Sequence, residues 1–302
     1  MATGSSKPLD YIDRAAVSKF SSEKISSPFP MEGNVSGHHR SNHMGSSVEF
    51  AEYREYSPGE DPRRVDWRVL ARTDRLFVKD FEAETNLRCQ FGLDCSRSMQ
   101  FGNEISKFHY AKKLIATLSY LFLCQGDAIG INHLGTKIKI DLEAKRSPSH
   151  LNSVLKVLKD SVAKGKQSLV SGMHQMSENT KMRSMLVFVS DFLEDPVEII
   201  RAVHHCRERK HEVVLFQILD RHEIDFPFEG PTRFVDLEGG SSVLTDPESV
   251  RTEYLQQLEN HMNYLRSGCR ETNSHFYRLT TNVSLTESLE PFLHNRSTYG
   301  SK

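Results

Sequence analysis

The stretch SMLVFVSD, residues 184–191, constrains the fold more than any other part of this sequence. Its apolar run is continuous and ends on Asp191. A short strand of this kind has both faces covered, as in a parallel sheet with helices on either side. The neighbouring segments keep the rhythm. PVEIIRAVHHCRERK reads as a helix with Pro196 in its first turn, and EVVLFQILD is the next buried strand. Upstream, RCQFGLD is a short, partly buried strand ending on Asp94. SKFHYAKKLIATLSYLFLC is a helix with Phe108, Ala111, Ile115, Leu118 and Phe122 on one stripe.

The rest of the chain fits around these elements. AIGINHL and KIKID form a hairpin across Gly135 and Thr136, and SHLNSVLKVLKDSV is a further helix. A long helix runs to about Leu265, with Pro247 near its start and Thr245 and Glu248 spaced as a capping box. HFYRLTT is a last strand and SLTESLEPFL a last helix. Strands alternating with helices imply an α/β domain with a mainly parallel sheet. Strands near 87–94, 184–190 and 213–219 are expected to be central and parallel. Ligands of such sheets collect beyond the carboxyl ends of the strands.

The α/β pattern occupies residues 86–296. Residues 1–47 combine a short amphipathic helix, LDYIDRAAVSKF, with a stretch rich in Ser, Gly, Pro and His. Residues 48–85 are densely charged, with a turn at SPGEDP and a strand-like RLFVKDFEAE. With 39 Lys and Arg against 40 Asp and Glu, the net charge of −1 gives no whole-chain drive toward nucleic acid or membrane. No apolar stretch is long enough to span a bilayer, and the amino terminus lacks the apolar centre of a secretion signal. Cys89, Cys95, Cys124, Cys206 and Cys269 are odd in number and contain no CxxC pair. Reduced, mostly buried thiols and a cytoplasmic location are therefore expected, not a disulfide framework or zinc ribbon.

Asp94 and Asp191 are the candidate chemistry. If their strands are parallel and central, both carboxylates emerge at one edge of the sheet. Alone they would repel, and a divalent cation removes that cost. Ser96 and Ser98 follow Asp94 at a spacing of two, so an extended or turn-like loop aims three oxygens the same way. Carboxylate and hydroxyl oxygens suit Mg²⁺, Mn²⁺ or Ca²⁺ and not zinc or copper. The competing reading is a strand end with ordinary polar turn residues.

LDCSRSM resembles the D-x-S-x-S metal-ion-dependent adhesion site of von Willebrand factor A domains, and VSDF resembles their later metal-site aspartate. Residues 48–85, VEFAEYREYSPGEDPRRVDWRVLARTDRLFVKDFEAET, resemble the signature of the domain of unknown function 58 family. The matching positions are Glu49, Phe50, Arg54, Tyr56, Pro58, Gly59, Asp61, Arg63, Asp66, Trp67, Ala71, Arg72, Leu76, Lys79 and Glu82. Glu60 departs from the usual Asp with its charge kept. QGDAIGI, SMLVFVSDFLED, RKHEVVLFQILDRHEIDFP and LEPFLHNR extend the resemblance over about residues 30–296. It implies a von Willebrand A-like mainly parallel sheet flanked by helices, behind a smaller N-terminal region. It also implies a partner class, MoxR-type AAA+ ATPases or their clients, in chaperone-like assembly or maturation. An adhesion-type site further uses a threonine on a middle loop, where the family often shows G-x-T-D-L. Here GKQSLVSGM puts Gln167 at the threonine position and Ser168 at the aspartate position. The implied metal ligands are Asp94, Ser96, Ser98, Ser168 and Asp191.

Other features point elsewhere or nowhere. His38, His39 and His43 form a cluster without spaced Cys or carboxylate partners, and read as loop. Arg54, Arg63, Arg64, Arg68, Arg72 and Arg75 are interleaved with Glu60, Asp61, Asp66 and Asp74, which favours internal ion pairing over a phosphate-binding face. Trp67, the only tryptophan, is expected to anchor a core. There is no P-loop and no G-x-S-x-G elbow. Asp94 as a nucleophile lacks the second aspartate two residues on, since Ser96 stands there. A metal-dependent, non-enzymatic interaction module is the leading expectation. A metal-dependent hydrolase or phosphotransferase using Asp94 is the alternative.

Overall fold

The computed structural model describes residues 11–23, 25, 48–57, 65–83, 87–102, 104–134, 140–164, 168–237 and 242–297. Two units divide the chain: Pro30–Asn86, and Met1–Phe29 together with Leu87–Lys302. The first helix, α1 (Arg14–Phe20), belongs with the larger unit. Asp13 caps it by accepting the Ala15 and Ala16 N–H groups at 3.0 Å each, and Ala16 and Phe20 are buried.

The smaller unit contains β1 (Val48–Glu55), α2 (Trp67–Thr73) and β2 (Phe77–Ala83). β2 is the expected strand, and its antiparallel partner β1 was not anticipated in so charged a segment. Asp66 caps α2, and Asp74 ends it at φ 55°, in the left-handed region. The expectation for Trp67 is corrected: it is 61% exposed. It opens a seven-residue helix that buries none of its residues, so the ring has no core to enter. Arg75 pairs with Glu55, in line with internal ion pairing. His38, His39, His43, Pro58, Gly59, Glu60, Asp61, Arg63 and Arg64 lie outside the described residues.

The larger unit continues with β3 (Arg88–Asp94), α3 (Lys107–Cys124), β4 (Ala128–Leu134), β5 (Ile140–Lys145) and α4 (His150–Asp160). Then come α5 (Leu169–Asn179), β6 (Met185–Ser190), α6 (Pro196–Glu208), β7 (Glu212–Leu219) and α7 (Arg221–Asp225). It closes with β8 (Thr232–Val235), β9 (Ser242–Thr245), α8 (Pro247–Glu271), β10 (His275–Thr280) and α9 (Leu285–Ser297). Six strands form one sheet in the order β10-β7-β6-β3-β4-β5. All neighbours are parallel except β5, which runs antiparallel to β4 at the edge. The three strands expected at the centre, β3, β6 and β7, are adjacent and parallel there.

Both faces of the sheet are covered, which is why its central strands could be so apolar. Leu186, Phe188, Val213 and Leu215 pack with Met173 and Met176 of α5, Ile199 and Val203 of α6, and Leu265 of α8. On the alternate register, Phe91 meets Phe122 of α3 at 6.1 Å between ring centroids, and Phe216 meets Phe292 of α9 at 5.2 Å.

Some boundaries moved. β5 is described from Ile140, inside the KIKID run, and residues 135–139 lie outside the described set. α8 is capped by Asp246, whose carboxylate accepts the Glu248 N–H at 3.2 Å, and not by Thr245 with Glu248. Pro247 then takes the first helical position, where its missing N–H costs nothing. α5, α7 and the β8–β9 hairpin had no strong sequence signal. None of the five cysteines forms a disulfide, and only Cys124 is exposed. Among the described residues, no helix is long and apolar enough to cross a membrane.

Candidate functional site at the carboxyl edge of the sheet

β3, β6 and β7 deliver their last residues to one edge. Leu93 pairs with Val189, and Ser190 with Gln217, so Asp94, Ser190 and Gln217 stand level across three strands. Parallel strands in register point such residues to the same side. The Ser190 hydroxyl donates to Asp94 Oδ2 at 2.5 Å, and the Ser96 N–H donates to Asp94 Oδ1 at 2.8 Å. Asp94 is 3% exposed. Burial first, then the charge of Asp191, pushes its carboxyl up to about 6, against the lowering hydrogen bonds from Ser190 and Ser96.

After Asp94 the chain stays extended through Ser96 and then makes one 3-10 turn, Arg97–Gln100. The Ser96 and Ser98 hydroxyl oxygens end 2.9 Å apart. Adjacent oxygens on an octahedral Mg²⁺ are separated by about 3 Å, since each sits about 2.1 Å from the ion. The two hydroxyls, here hydrogen-bonded to each other, also have the spacing of neighbouring ligands.

Asp191 follows β6 and is 2% exposed. Its Oδ2 accepts from the Lys107 ammonium at 2.8 Å. The same ammonium donates to Glu223 Oε1 at 2.6 Å. Burial opposes the charged form of Lys107, but the charges of Asp191 and Glu223 outweigh it, and its pKa lies above the ordinary lysine value. Burial raises the Glu223 carboxyl, against the charge of Lys107. The backbone around Asp191 is held on three sides. Gln217 Nε2 donates to the Asp191 carbonyl at 3.0 Å, the Phe192 N–H donates to Ser190 Oγ at 3.0 Å, and the Phe192 carbonyl accepts from His261 Nε2 at 2.7 Å. Phe192 adopts φ 52°, a left-handed conformation that costs a bulky residue about 1–2 kcal/mol. That bend buries its ring in the core directly after Asp191.

Ser168 caps α5, its hydroxyl accepting the Ser171 N–H at 3.2 Å. Two contacts tie its neighbourhood to the edge. Upstream, the Lys164 N–H donates to the Cys95 carbonyl at 2.8 Å. Downstream, the Leu169 N–H donates to Glu194 Oε1 at 2.6 Å, from the loop that carries Asp191. Gln167 lies outside the described residues. The structure thus joins Asp94, Ser96 and Ser98 in one loop, sets Asp191 electrostatically beside them, and holds Ser168 on the segment between both loops.

Do these groups suit a hard cation? Among the described residues, no three His, Cys, Asp or Glu side chains are grouped to hold a metal, so hydroxyls must share the work. The donors are all oxygens, as Mg²⁺ requires. Gln217 Oε1 is fully buried without a hydrogen-bond partner, on the side chain that grips Asp191. Such an oxygen calls for a water or a cation's water shell. The donor set fits the ion. Sequence reasoning missed Lys107, Glu194, Gln217 and Glu223. Only Lys107 left a trace, as a cation at a helix start where charge of that sign is disfavoured.

A mainly parallel sheet with helices on both faces and a hydroxyl-rich loop after its central strand defines the von Willebrand A-like class. The crystal structure of the conserved hypothetical protein BatB from Bacteroides thetaiotaomicron superimposes with a TM-score of 0.50 at 12% identity, covering 72% of this chain and all 100% of that one. The SpRpn10 VWA domain matches with a TM-score of 0.41 at 14% identity, over 72% of this chain and 98% of that domain. The chain itself belongs to the family described as "Protein of unknown function DUF58", whose pattern matches residues 52–264. An uncharacterized protein of Mycobacterium tuberculosis is 27% identical over 214 residues, 70% of this chain and 67% of the relative, and one of Mycobacterium bovis matches equally.

Proposed function

We propose that this protein is an interaction module whose carboxyl edge captures a partner protein through a hard divalent cation. One observation carries the reading: the Ser96 and Ser98 hydroxyls, 2.9 Å apart, follow a buried Asp94 at the edge where Asp191 also emerges. Asp94, Ser96, Ser98 and Asp191 would hold Mg²⁺, Mn²⁺ or Ca²⁺, with Ser168 as a fifth oxygen. The bound ion supplies positive charge and a position for a carboxylate from outside. The protein's own part is to hold those oxygens still. Ser190 and the Ser96 N–H orient Asp94, and Gln217 orients the Asp191 backbone. Both oxygens of Asp94 already accept hydrogen bonds from the protein, which suits a fixed ligand better than an attacking nucleophile. The family resemblance supports a MoxR-type AAA+ ATPase or its client as the partner, in assembly or maturation.

Calorimetry with Mg²⁺ and Mn²⁺ tests the site, and EDTA-sensitive capture of the purified ATPase tests the partner. Asp94→Ala is expected to lose both. Unchanged metal binding in Asp94→Ala, or capture indifferent to EDTA, rejects the proposal. Turnover of generic phosphoesters with Mg²⁺ would favour a hydrolase instead.

A further inference from the structure

Lys107 is the group at this edge that the fold does most to oppose. It is fully buried, and it is the first residue of α3, where the helix dipole disfavours a positive charge. Its amphipathic stem does not reach water. The ammonium ends between two carboxylates from different elements, 2.8 Å from Asp191 and 2.6 Å from Glu223, with the Phe101 ring centroid 5.7 Å away. Glu223 is itself pinned. It is the third residue of α7, and its Oε2 accepts the Asp220 N–H at 2.7 Å in a capping box. The anion on that side is therefore fixed, while the carboxylate on the other side is a candidate metal ligand.

Resting on the reading of Asp94, Ser96, Ser98 and Asp191 as a cation site, we propose that Lys107 is a built-in competitor for the cation. Its ammonium neutralises Asp191, and Glu223 is the counter-anion that draws it away from Asp191. Asp191 and Glu223 share this ammonium, and Asp94 meets the charge of Asp191 without a bond to Lys107, so negative charge remains to attract a divalent ion. Yet the ion must work against a positive charge hydrogen-bonded to one of its own ligands. Affinity is set by how strongly Glu223 holds Lys107. A weak, readily exchanged ion follows, in place of a permanently occupied site.

The test is a double-mutant cycle on the full chain, read by calorimetric titration with Mn²⁺ and Mg²⁺. Near-ultraviolet circular dichroism checks that each variant is folded. Lys107→Gln is expected to bind about tenfold tighter or more, the scale of removing one nearby like charge. Glu223→Gln is expected to bind about tenfold weaker when Lys107 is present and to have little effect when position 107 is Gln. If wild type shows no binding and Lys107→Gln binds, the competitor role stands and the metal-dependent reading of the wild type falls. If Lys107→Gln binds no tighter than wild type, or Glu223→Gln acts equally in both backgrounds, the competitor role is overturned. Should Lys107→Gln fail to fold, heteronuclear NMR of the wild-type ammonium decides. Mn²⁺ or Mg²⁺ is then expected to shift the Lys107 signal, and an unmoved signal refutes the proposal.

Discussion

Replacing Asp94 by Asn should stabilise the metal-free protein while abolishing its response to metal. The argument follows from where the carboxylate sits. The Asp94 carboxyl rises from an ordinary value of 3.8 to about 6, because burial and the Asp191 charge penalise its ionised form. A carboxyl with a raised folded pKa contributes stability that is complete below the unfolded value and lost as pH climbs toward the folded one. Above about pH 6 the loss is complete, and two pKa units at 1.36 kcal/mol each put it at about 3 kcal/mol. Asn mimics the neutral carboxyl. Its Oδ1 can accept the Ser96 N–H, and its Nδ2 can donate to Ser190 Oγ, which has a second lone pair beside the one used by the Phe192 N–H. In EDTA at about pH 8, Asp94→Asn should therefore be more stable than wild type by up to about 3 kcal/mol. At about pH 5 the gain should shrink to roughly half of that. Urea unfolding at both pH values, with and without Mg²⁺, is the assay. Mg²⁺ should raise the wild-type midpoint and leave the variant's unchanged. A variant less stable than wild type at pH 8, or a gain that does not grow from pH 5 to pH 8, would refute the electrostatic account of this edge.

Three more outcomes are expected. Asp127, whose Oδ1 accepts the Leu87 N–H at 2.8 Å, has a carboxyl pushed by burial up to about 7. Wild type should thus lose stability between about pH 4 and pH 7, and Asp127→Asn should remove about 3–4 kcal/mol of that decline in urea titrations, far from any metal effect. Gly92→Ala would bring a Cβ to 3.0 Å from Leu134, Met176 and Phe188 side-chain atoms, and should cost about 1–3 kcal/mol by thermal or chemical unfolding. A cost near zero would mean that the core behind Asp94 yields more easily than its packing implies. Trp67→Ala should change stability by less than about 0.5 kcal/mol, since an exposed ring buries little, and a loss of several kcal/mol would return Trp67 to a core.

Much of this molecule was legible in local pattern. The unbroken apolar run in β6 and the largely apolar β7 meant strands covered on both faces, and helices on both faces are what cover them. Pro196 sits at the start of α6 because that position needs no N–H. Asp94 and Asp191 come at strand ends, and parallel strands must bring such ends to one edge. These are rules of backbone hydrogen bonding and side-chain period, which act over a few residues and so are written there. Other local signals were outweighed. Thr245 and Glu248 had the spacing of a cap, but Asp246 took the role because its shorter reach to the Glu248 N–H allows Pro247 to open the helix.

Tertiary structure alone decided what neutralises Asp191. Lys107 lies 84 residues away in sequence, and nothing near it marks a partner for a strand-end carboxylate. Glu223 reached the same ammonium through the cap of a five-residue helix that has no periodicity to detect. Gln217 sits in an otherwise apolar stretch of β7, and its register beside Ser190 puts its amide on the Asp191 carbonyl. Trp67 shows the converse, a residue whose size argued for burial in a helix that packs against too little to bury it. A side chain's ordinary preference is fixed by its own chemistry, but the charge it meets depends on which distant segments the sheet order brings together. For this protein the sequence determined the fold and the carboxylates at its edge, and only the packing of α3 and α7 onto that edge determined that an internal ammonium holds one of them, Asp191.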